Sequence, residues 1–193
     1  MRIVIPGGSG QVGTILARAF HADGHDVVVL SRQPQNRPWR VVTWDAVNLG
    51  AWRGEIDGAD VVINLTGRSV NCRYNAKNRR EILQSRVDST RAVGDAIARA
   101  AHPPRIWLQA STATIYAHRY DAANDERSGR LGGDDPEAAD SWRFSLYVAR
   151  AWERALADAA TPATRRVALR SAMVMIHCEW TRPLHQDQRP LSL

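Results

Sequence analysis

Short, continuous runs of apolar residues alternate with longer amphipathic stretches along most of the chain. The apolar runs predict six strands, at residues 3–5, 27–30, 41–44, 61–65, 106–108 and 166–175. Apolar residues at helical spacing predict helices over residues 11–22, 78–101 and 141–160, the last with Ser141 as its N-cap. Strands that alternate with helices imply right-handed crossovers. We therefore predict an α/β fold with a doubly wound parallel sheet and helices on both faces, which suits strands that are apolar throughout.

The first apolar run breaks into a glycine turn. Residues 3–13 read Ile-Val-Ile-Pro-Gly-Gly-Ser-Gly-Gln-Val-Gly, in which Gly7, Gly10 and Gly13 are three residues apart and residues 8–13 match the pattern GxGxxG. In such a turn one glycine permits the tight bend, one lets backbone amides approach a pyrophosphate, and one lets helix and strand pack closely. The helix that follows offers free amides and the positive end of its dipole to phosphates. The sequence thus predicts a nucleotide site in a Rossmann-like fold, with a purely structural glycine turn as the alternative.

Length and composition bound the remaining possibilities. A chain of 193 residues with 44% hydrophobic and 24% charged residues is ordinary for one soluble globular domain. No run approaches the roughly 20 consecutive apolar residues of a membrane span, so we expect no membrane partner. The first strand begins within two residues of the N-terminus, which leaves no room for a signal peptide, and we expect a cytoplasmic protein.

The basic residues do not predict a nucleic-acid partner, although the formal net charge is +6. Lys77 is the only lysine among 26 basic residues, and the arginines are scattered among acids without a long basic run. Cys72 and Cys178 match no metal or redox spacing, and His21 and His25 have no evident third ligand. We therefore expect idle thiols and no metal site.

Four sequence blocks resemble the extended short-chain dehydrogenase/reductase superfamily, and most of all its NAD(P)-dependent sugar-nucleotide epimerase/dehydratase-like branch. They are residues 6–13, residues 64–67 (Asn-Leu-Thr-Gly) with 71–74 (Asn-Cys-Arg-Tyr), residues 85–90 (Ser-Arg-Val-Asp-Ser-Thr) and residues 111–116 (Ser-Thr-Ala-Thr-Ile-Tyr). A fifth block, Trp152-Glu153, lies in the last predicted helix. The blocks stand in the expected order, and the resemblance implies that residues 1–175 form an NAD(P)-binding domain.

Beyond residue 175 the chain departs from the family pattern. Residues 176–193 lose the hydrophobic period and predict an irregular tail. Relatives continue into a smaller substrate-binding domain. The resemblance therefore implies a C-terminally truncated member in which that domain is missing.

The resemblance also implies a set of cofactor contacts. The pyrophosphate would lie at the glycine turn and the helix start, formed by Gly7, Gly10, Gln11, Val12 and Gly13. Ser31 and Arg32 follow the second strand, where NADP-preferring relatives place a guanidinium for the 2′-phosphate and NAD-preferring relatives place an acid. This implies NADP, with NAD as the alternative and a solvated Arg32 as the plainer interpretation. Asp45 would meet the adenine amine, and the other side of the cofactor would be lined by Leu65, Thr66, Gly67 and Arg86.

The catalytic pattern of the family is incomplete in this chain. In relatives a tyrosine exchanges a proton with an oxygen of the substrate, and a lysine four residues later assists the tyrosine. A Ser or Thr at the end of the fifth strand donates a hydrogen bond to the same substrate oxygen. Tyr147 is followed four residues later by Ala151. Alignment on Trp152-Glu153 instead puts Ser145 and Ala149 at the tyrosine and lysine positions. The usual pair is absent in either alignment.

Other side chains are candidates for these roles. Thr112 matches the Ser/Thr position, and Tyr116 or Tyr147 could serve as the acid, with packing over the cleft as the alternative for both tyrosines. Arg150 or Arg86 could supply a cation, although a guanidinium stays protonated and acts only electrostatically. Arg73 and Arg86 could also pair with a substrate phosphate, or cap the long helix with Glu81 and Asp88.

Together these features predict an NAD(P)-binding, epimerase/dehydratase-like oxidoreductase domain that acts nominally on nucleotide sugars by hydride transfer. A non-catalytic NADP(H)-binding sensor or scaffold is the alternative, because the catalytic pair is absent. Relatives often pair through helices equivalent to residues 78–101 and 141–160, so a homodimer is a further expectation.

Overall fold

Strands and helices alternate along the part of the chain that the computed structural model describes, residues 1–119, 121–133, 138–172 and 174. The strands are β1 Arg2–Pro6, β2 Asp26–Ser31, β3 Arg40–Thr43, β4 Val61–Asn64, β5 Ile106–Thr112 and β6 Arg165–Ser171. The α-helices are α1 Gln11–Ala22, α2 Ala76–Ala98 and α3 Asp140–Ala157. Short 3-10 turns occupy Ala51–Glu55 and Ala113–Ile115.

The six strands form a parallel sheet in the order β3-β2-β1-β4-β5-β6. The chain runs outward from β1 through β2 to β3 and then crosses back to β4, so the winding direction reverses between β1 and β4. Ligands of such sheets bind in the crevice at the carboxyl ends of the strands beside this reversal. The prediction of a doubly wound, Rossmann-like α/β fold is confirmed.

The two faces of the sheet are covered unequally. Helices α2 and α3 cover one face, over a core that includes Val4, Val62 and Trp107. Helix α1 covers the other face over β1 and β2. Along β5, buried residues alternate with half-buried ones, and Leu169 of β6 is 37% exposed. Helices therefore lie on both faces, as predicted, although in the described part of the chain α1 leaves β5 and β6 partly exposed on its side of the sheet.

Two predicted helix boundaries are corrected by the capping residues. Helix α3 begins at Asp140 with Ala139 as its N-cap, so the prediction that Ser141 caps it is wrong. The Asp140 carboxylate lies in the first turn, where the helix dipole favours negative charge. Helix α2 begins at Ala76 because the Asn75 side chain accepts a hydrogen bond from the third backbone N–H that follows it.

Some predictions concern residues outside the described ranges. These are the tail at residues 176–193, Cys178 within it, and the end of the predicted sixth strand, whose described part stops at Ser171. Within the described residues, Cys72 is a free thiol and no group of side chains could hold a metal ion. No helix in that part of the chain is long and apolar enough to cross a membrane.

The outer sides of α2 and α3 are largely polar. Their exposed positions include Lys77, Arg80, Gln84, Arg91, Asp95, Arg143, Arg150 and Arg154. The apolar faces of both helices are buried within the chain. A homodimer through these helices would therefore find little apolar surface, apart from Tyr147, which is 58% exposed.

A buried carboxylate joins three elements at the amino end of the sheet. Glu55 is 8% exposed and accepts hydrogen bonds from Nη2 of Arg2 at 2.7 Å and Nη2 of Arg40 at 2.6 Å. These ion pairs connect β1 and β3 to the 3-10 turn Ala51–Glu55. Because a buried charge is costly unless paired, the three side chains stabilise one another.

Replacement of Glu55 by Gln should lower the free energy of unfolding by about 1–3 kcal/mol, because it removes the negative charge that pairs with two guanidinium groups. The control is Asp95→Asn on the exposed side of α2, which should change the free energy by less than about 0.5 kcal/mol. Urea unfolding followed by circular dichroism measures both. Equal stability of Glu55→Gln and the unaltered chain would contradict the structural role of this carboxylate.

Candidate functional site

The glycine turn after β1 contains two close backbone approaches. Gly7 has a φ of +74°, and a Cβ there would lie 2.8 Å from the backbone nitrogen of Thr66. A Cβ on Gly13, in the first turn of α1, would lie 2.7 Å from the carbonyl oxygen of Gly8. Gly7 thus permits the bend and Gly13 permits close helix–strand packing, which are the roles that the spacing predicts.

The N-terminus of α1 faces the same turn. Gly10 is the N-cap and supplies no side-chain hydrogen bond. The N–H of Thr14 donates to the Gly10 carbonyl, as the first hydrogen bond of the helix. The N–H groups of Gln11, Val12 and Gly13 therefore have no partner within the helix. Together with the positive end of the helix dipole, they favour an anion at the carboxyl end of β1.

A cavity of about 500 Å³, here called the first cavity, lies at the carboxyl ends of β1, β2 and β4. Most of the residues predicted as cofactor contacts line it: Gly7, Gly10, Ser31, Arg32, Asp45, Leu65, Thr66 and Gly67. The predicted contacts Gln11, Val12 and Gly13 adjoin it at the start of α1. Arg86 lies against Gly67 and does not line the cavity wall.

Several cavity residues are not predicted from the sequence. Trp44, which follows β3, is 4% exposed and packs edge-on against Trp52 with the ring centroids 5.1 Å apart. Glu81, Ser85 and Asp88 line the cavity from α2. Their spacing shows from the sequence that the three side chains share one side of the helix. The sequence alone does not show which side of a long helix meets the cavity, because packing decides it.

The cavity wall after β3 is a tight turn organised by Asp45. Its Oδ1 accepts hydrogen bonds from the N–H of Val47 at 2.9 Å and of Asn48 at 2.8 Å, and its Oδ2 accepts from the Asn48 side chain at 2.7 Å. The hydrogen bond from Val47, followed by those from Asn48, holds the pKa of Asp45 below its ordinary value. Ala46 has a φ of +66°, which residues with side chains rarely adopt. The carboxylate thus holds a strained backbone beside the cavity.

Arg32 and Thr66 are polar groups without partners in the first cavity. Arg32 is exposed and makes no hydrogen bond or ion pair with the residues that the structure describes. Thr66 Oγ1 is buried and also has no hydrogen-bond partner among them. Ser31, in contrast, is 3% exposed and its Oγ accepts from the N–H of Gln33 at 3.3 Å. A polar anionic ligand would satisfy both unpaired groups.

Arg86 is a half-buried cation with no carboxylate partner within the described ranges. Its Nη1 donates to the carbonyl oxygens of Arg68 at 3.1 Å and Ile82 at 3.0 Å. Its guanidinium lies 5.1 Å from the centre of the Trp152 ring. Burial lowers the pKa of Arg86. Glu81 pairs with Arg68 instead, so the helix cap that the sequence suggested between Arg86 and Glu81 is not formed.

A second polar group lies at the ends of β5 and β6, and we call it the Glu153 network. Ser111 Oγ donates to Glu153 Oε1 at 2.6 Å, and Arg170 binds both carboxylate oxygens with N–O distances of 2.8 Å. Arg170 Nη1 also donates to the Tyr116 hydroxyl at 3.0 Å. Burial by itself raises the pKa of Glu153, but the hydrogen bonds from Arg170 and Ser111 outweigh it and hold the pKa below its ordinary value.

A second cavity of about 930 Å³ runs along β6, next to the residues that follow β5. Val167 and Leu169 form part of its apolar wall, and Tyr116 and Arg170 part of its polar wall. Trp142 also lines it, and the indole nitrogen of Trp142 is buried without a partner in the described part of the chain. The second cavity thus lies beside β6 and the residues that follow β5, whereas the first cavity lies at the ends of β1, β2 and β4.

The structure places Tyr116, but neither Thr112 nor Tyr147, in the Glu153 network. Thr112 Oγ1 donates to Thr114 Oγ1 at 3.0 Å and accepts from the N–H of Thr114 at 3.2 Å, so it caps the 3-10 turn that follows β5. Tyr147 is exposed on the outer side of α3 and lines neither cavity. Arg150 donates to the carbonyl of Gly132. The cation beside Tyr116 is Arg170, which sequence reasoning missed.

The glycine turn and its cavity agree with a comparison against known protein families. Residues 3–134 match the model of the NAD dependent epimerase/dehydratase family. The chain belongs to this family. The resemblance noted in the sequence is thereby confirmed, and so is a nicotinamide dinucleotide as the class of cofactor that the family uses.

Individual family members show how far the match extends. The epimerase family protein SDR39U1 of Bos taurus is 33% identical over 178 residues, which are 91% of this chain and 55% of that protein. The crystal structure of human SDR39U1 (isoform 2) with NADPH matches with a TM-score of 0.71 and 30% identity, over 88% of this chain and 53% of that one. A nucleoside-diphosphate sugar epimerase from Corynebacterium glutamicum matches with a TM-score of 0.68 and 29% identity, over 88% of this chain and 33% of that one. The chain thus spans about half the length of the SDR39U1 proteins.

The Glu153 network should make the stability of this family member depend on pH in the acid range. A carboxylate whose pKa is lowered by folding stabilises the protein above its ordinary pKa, and this stabilisation is lost as the pH falls through the lowered value. The ordinary pKa of Glu153 is 4.5. Glu153→Gln should therefore be less stable than the unaltered chain at neutral pH, and its stability should fall less steeply below pH 4.5.

Urea unfolding at a series of pH values measures this difference. Glu126→Gln is the control, because Glu126 is exposed, and it should keep the pH dependence of the unaltered chain. An unchanged slope in Glu153→Gln would show that the network does not stabilise the ionised carboxylate.

Proposed function

We propose that the chain is the NADP(H)-binding part of an epimerase/dehydratase-type oxidoreductase that exchanges hydride with a nucleotide sugar. The observation that carries the proposal is the first cavity, where a glycine turn, the free amides of α1 and the unpaired Arg32 surround one space. Two relatives support it: human SDR39U1 was crystallised with NADPH, and the Corynebacterium glutamicum protein is a nucleoside-diphosphate sugar epimerase.

The glycine turn fits the pyrophosphate of a dinucleotide. The N–H groups of Gln11, Val12 and Gly13 would donate to its oxygens, and the dipole of α1 would favour its charge. The backbone at Gly7 passes so close to Thr66 that a side chain would fill this space. The buried Thr66 hydroxyl, which has no partner in the described residues, would gain one from the ligand.

Arg32 favours NADP over NAD. It follows β2, where a carboxylate would accept hydrogen bonds from the ribose hydroxyls of NAD, whereas a guanidinium matches a 2′-phosphate. The neighbouring Ser31 hydroxyl is buried and bonded to Gln33, so Arg32 is the polar group that remains for the ligand at this position.

The turn at Asp45 fits the adenine. A carboxylate has about four acceptor positions, and the turn uses three of those of Asp45. The remaining one on Oδ2 would accept from the adenine amine. Val47 beside it is a hydrophobic residue that is 53% exposed, and a stacked base would cover it.

Leu65, Gly67 and Arg86 would complete the site on the side of β4. Because Gly67 has no side chain, the guanidinium carbon of Arg86 can lie 3.2 Å from the position that a Cβ on Gly67 would occupy. Because Arg86 has no carboxylate partner in the described residues, its charge is available to the negative groups of the cofactor across Gly67.

When bound, the nicotinamide ring supplies or accepts the hydride. The chain itself must then hold the substrate oxygen and move its proton. The second cavity, with Tyr116 in its wall, is where the described residues offer a hydroxyl for this role.

Binding without turnover is the second candidate function. In the alignment on Trp152-Glu153, Ser145 and Ala149 take the positions of the family's tyrosine and lysine, and Ser145 Oγ donates to the carbonyl of Ser141 at 2.8 Å. The Thr112 hydroxyl is engaged in a cap. A sensor or scaffold of this kind would bind NADPH and never oxidise it, which distinguishes it from the oxidoreductase.

Replacement of Arg32 by Ala should weaken NADPH binding about tenfold or more and leave NADH binding nearly unchanged, because only NADPH carries the 2′-phosphate. Arg37→Ala is the control, since Arg37 lies in the same exposed loop and bonds to Gln35 instead. Titration followed by cofactor fluorescence measures the dissociation constants. Equal loss for NADPH and NADH, or no loss at all, would contradict the role given to Arg32.

A further inference from the structure

Arg170 is fixed in place from two sides. Arg170 donates from Nε and Nη2 to the two carboxylate oxygens of Glu153, each at 2.8 Å. Glu153 in turn accepts a hydrogen bond from the Ser111 hydroxyl at 2.6 Å. The side chains of Arg170 and Glu153 are only 28% and 18% exposed. A planar guanidinium bound through two nitrogens has little freedom to rotate, so the N–H groups of its third nitrogen, Nη1 of Arg170, have a defined direction.

That third position is directed at Tyr116. Arg170 Nη1 donates to the Tyr116 hydroxyl oxygen at 3.0 Å, and the guanidinium lies 5.0 Å from the centre of the ring. Since the oxygen accepts this hydrogen bond, the hydroxyl keeps its own proton. Among the described residues nothing accepts that proton, and Tyr116 lines the second cavity together with Arg170.

We propose that Tyr116 is the acid–base residue of this chain and that Arg170 replaces the family's missing lysine, with Glu153 and Ser111 as positioning residues. The proposal rests on the proposed function, because the hydride must come from the bound nicotinamide cofactor. Ser111 and Glu153 belong to the sequence blocks that resemble the family, whereas Arg170 lies outside those blocks.

The proton step balances with the cofactor as the reductant. As a substrate carbonyl carbon receives hydride, the carbonyl oxygen takes the Tyr116 proton, so that the tyrosine O–H bond breaks and the alcohol O–H bond forms. The substrate is reduced and the cofactor is oxidised. The phenolate that remains is stabilised by the fixed charge of Arg170, and solvent returns the proton, because a guanidinium stays protonated and cannot pass one on.

The test compares four single variants by NADPH oxidation with a panel of aldehydes, ketones and a UDP-4-keto sugar. Tyr116→Phe removes the hydroxyl alone and should lower kcat about 100-fold or more, with the NADPH dissociation constant unchanged. Arg170→Lys keeps the positive charge, whereas Arg170→Met removes it, so Arg170→Lys should lower kcat less than Arg170→Met. Tyr147→Phe is the matched control and should behave as the unaltered chain, since the structure places Tyr147 outside both cavities.

A double variant separates the catalytic role of Arg170 from a structural one. If Arg170 acts through the Tyr116 hydroxyl, Arg170→Lys should lower kcat no further once Tyr116→Phe is present. A purely structural Arg170 would lower kcat equally in both backgrounds and would overturn the proposal. Thermal unfolding of each variant shows whether the fold is kept.

The outcomes distinguish this proposal from the proposed function. Full kcat in Tyr116→Phe, or NADPH binding by the unaltered chain without oxidation by any compound of the panel, would overturn the acid–base role and leave the cofactor site standing. Absence of NADPH binding by the unaltered chain would overturn the proposed function, and this proposal with it.

Discussion

The close approach of α1 to the end of β1 is the constraint on which the site depends. At Gly13 the helix backbone lies against Gly8, and at Gly7 the turn lies against Thr66 of the neighbouring β4 connection. Side chains at these positions would push the helix start away from the sheet. Because they are glycines, the free amides of α1 face the crevice between β1 and β4, where the sheet changes its winding direction. The helix end whose free amides favour an anion therefore coincides with the topological crevice.

Local patterns of the sequence predicted the elements that depend on local physics. The glycine turn and α1 at Gln11–Ala22 agree with the structure, and so does the succession of strands and helices along the chain, because apolar periodicity and glycine spacing act over a few residues. The start of α3 was wrong since its N-cap, Ala139, offers no side-chain signal. The partial exposure of β5 was not predicted, because an apolar strand sequence does not show how far a helix extends over it.

The parts of the candidate site that could not be predicted are those built from distant residues. Arg170 and Glu153 are 17 positions apart, and Arg170 and Tyr116 are 54 apart, so their meeting depends on how β5, β6 and α3 pack. The Asp45 turn is local, but its strained Ala46 is not signalled by a glycine. The sequence did show that the usual tyrosine–lysine pair is absent. It did not show that an arginine from β6 lies beside a different tyrosine.

The most direct measurement is a crystal structure of the unaltered chain with NADPH. We expect the pyrophosphate at the N–H groups of Gln11–Gly13, the 2′-phosphate at Arg32 and the base against the Asp45 turn. A cofactor bound elsewhere would contradict the central claim that the glycine turn and the first cavity form the dinucleotide site. An empty first cavity in a crystal soaked with saturating NADPH would contradict it as well.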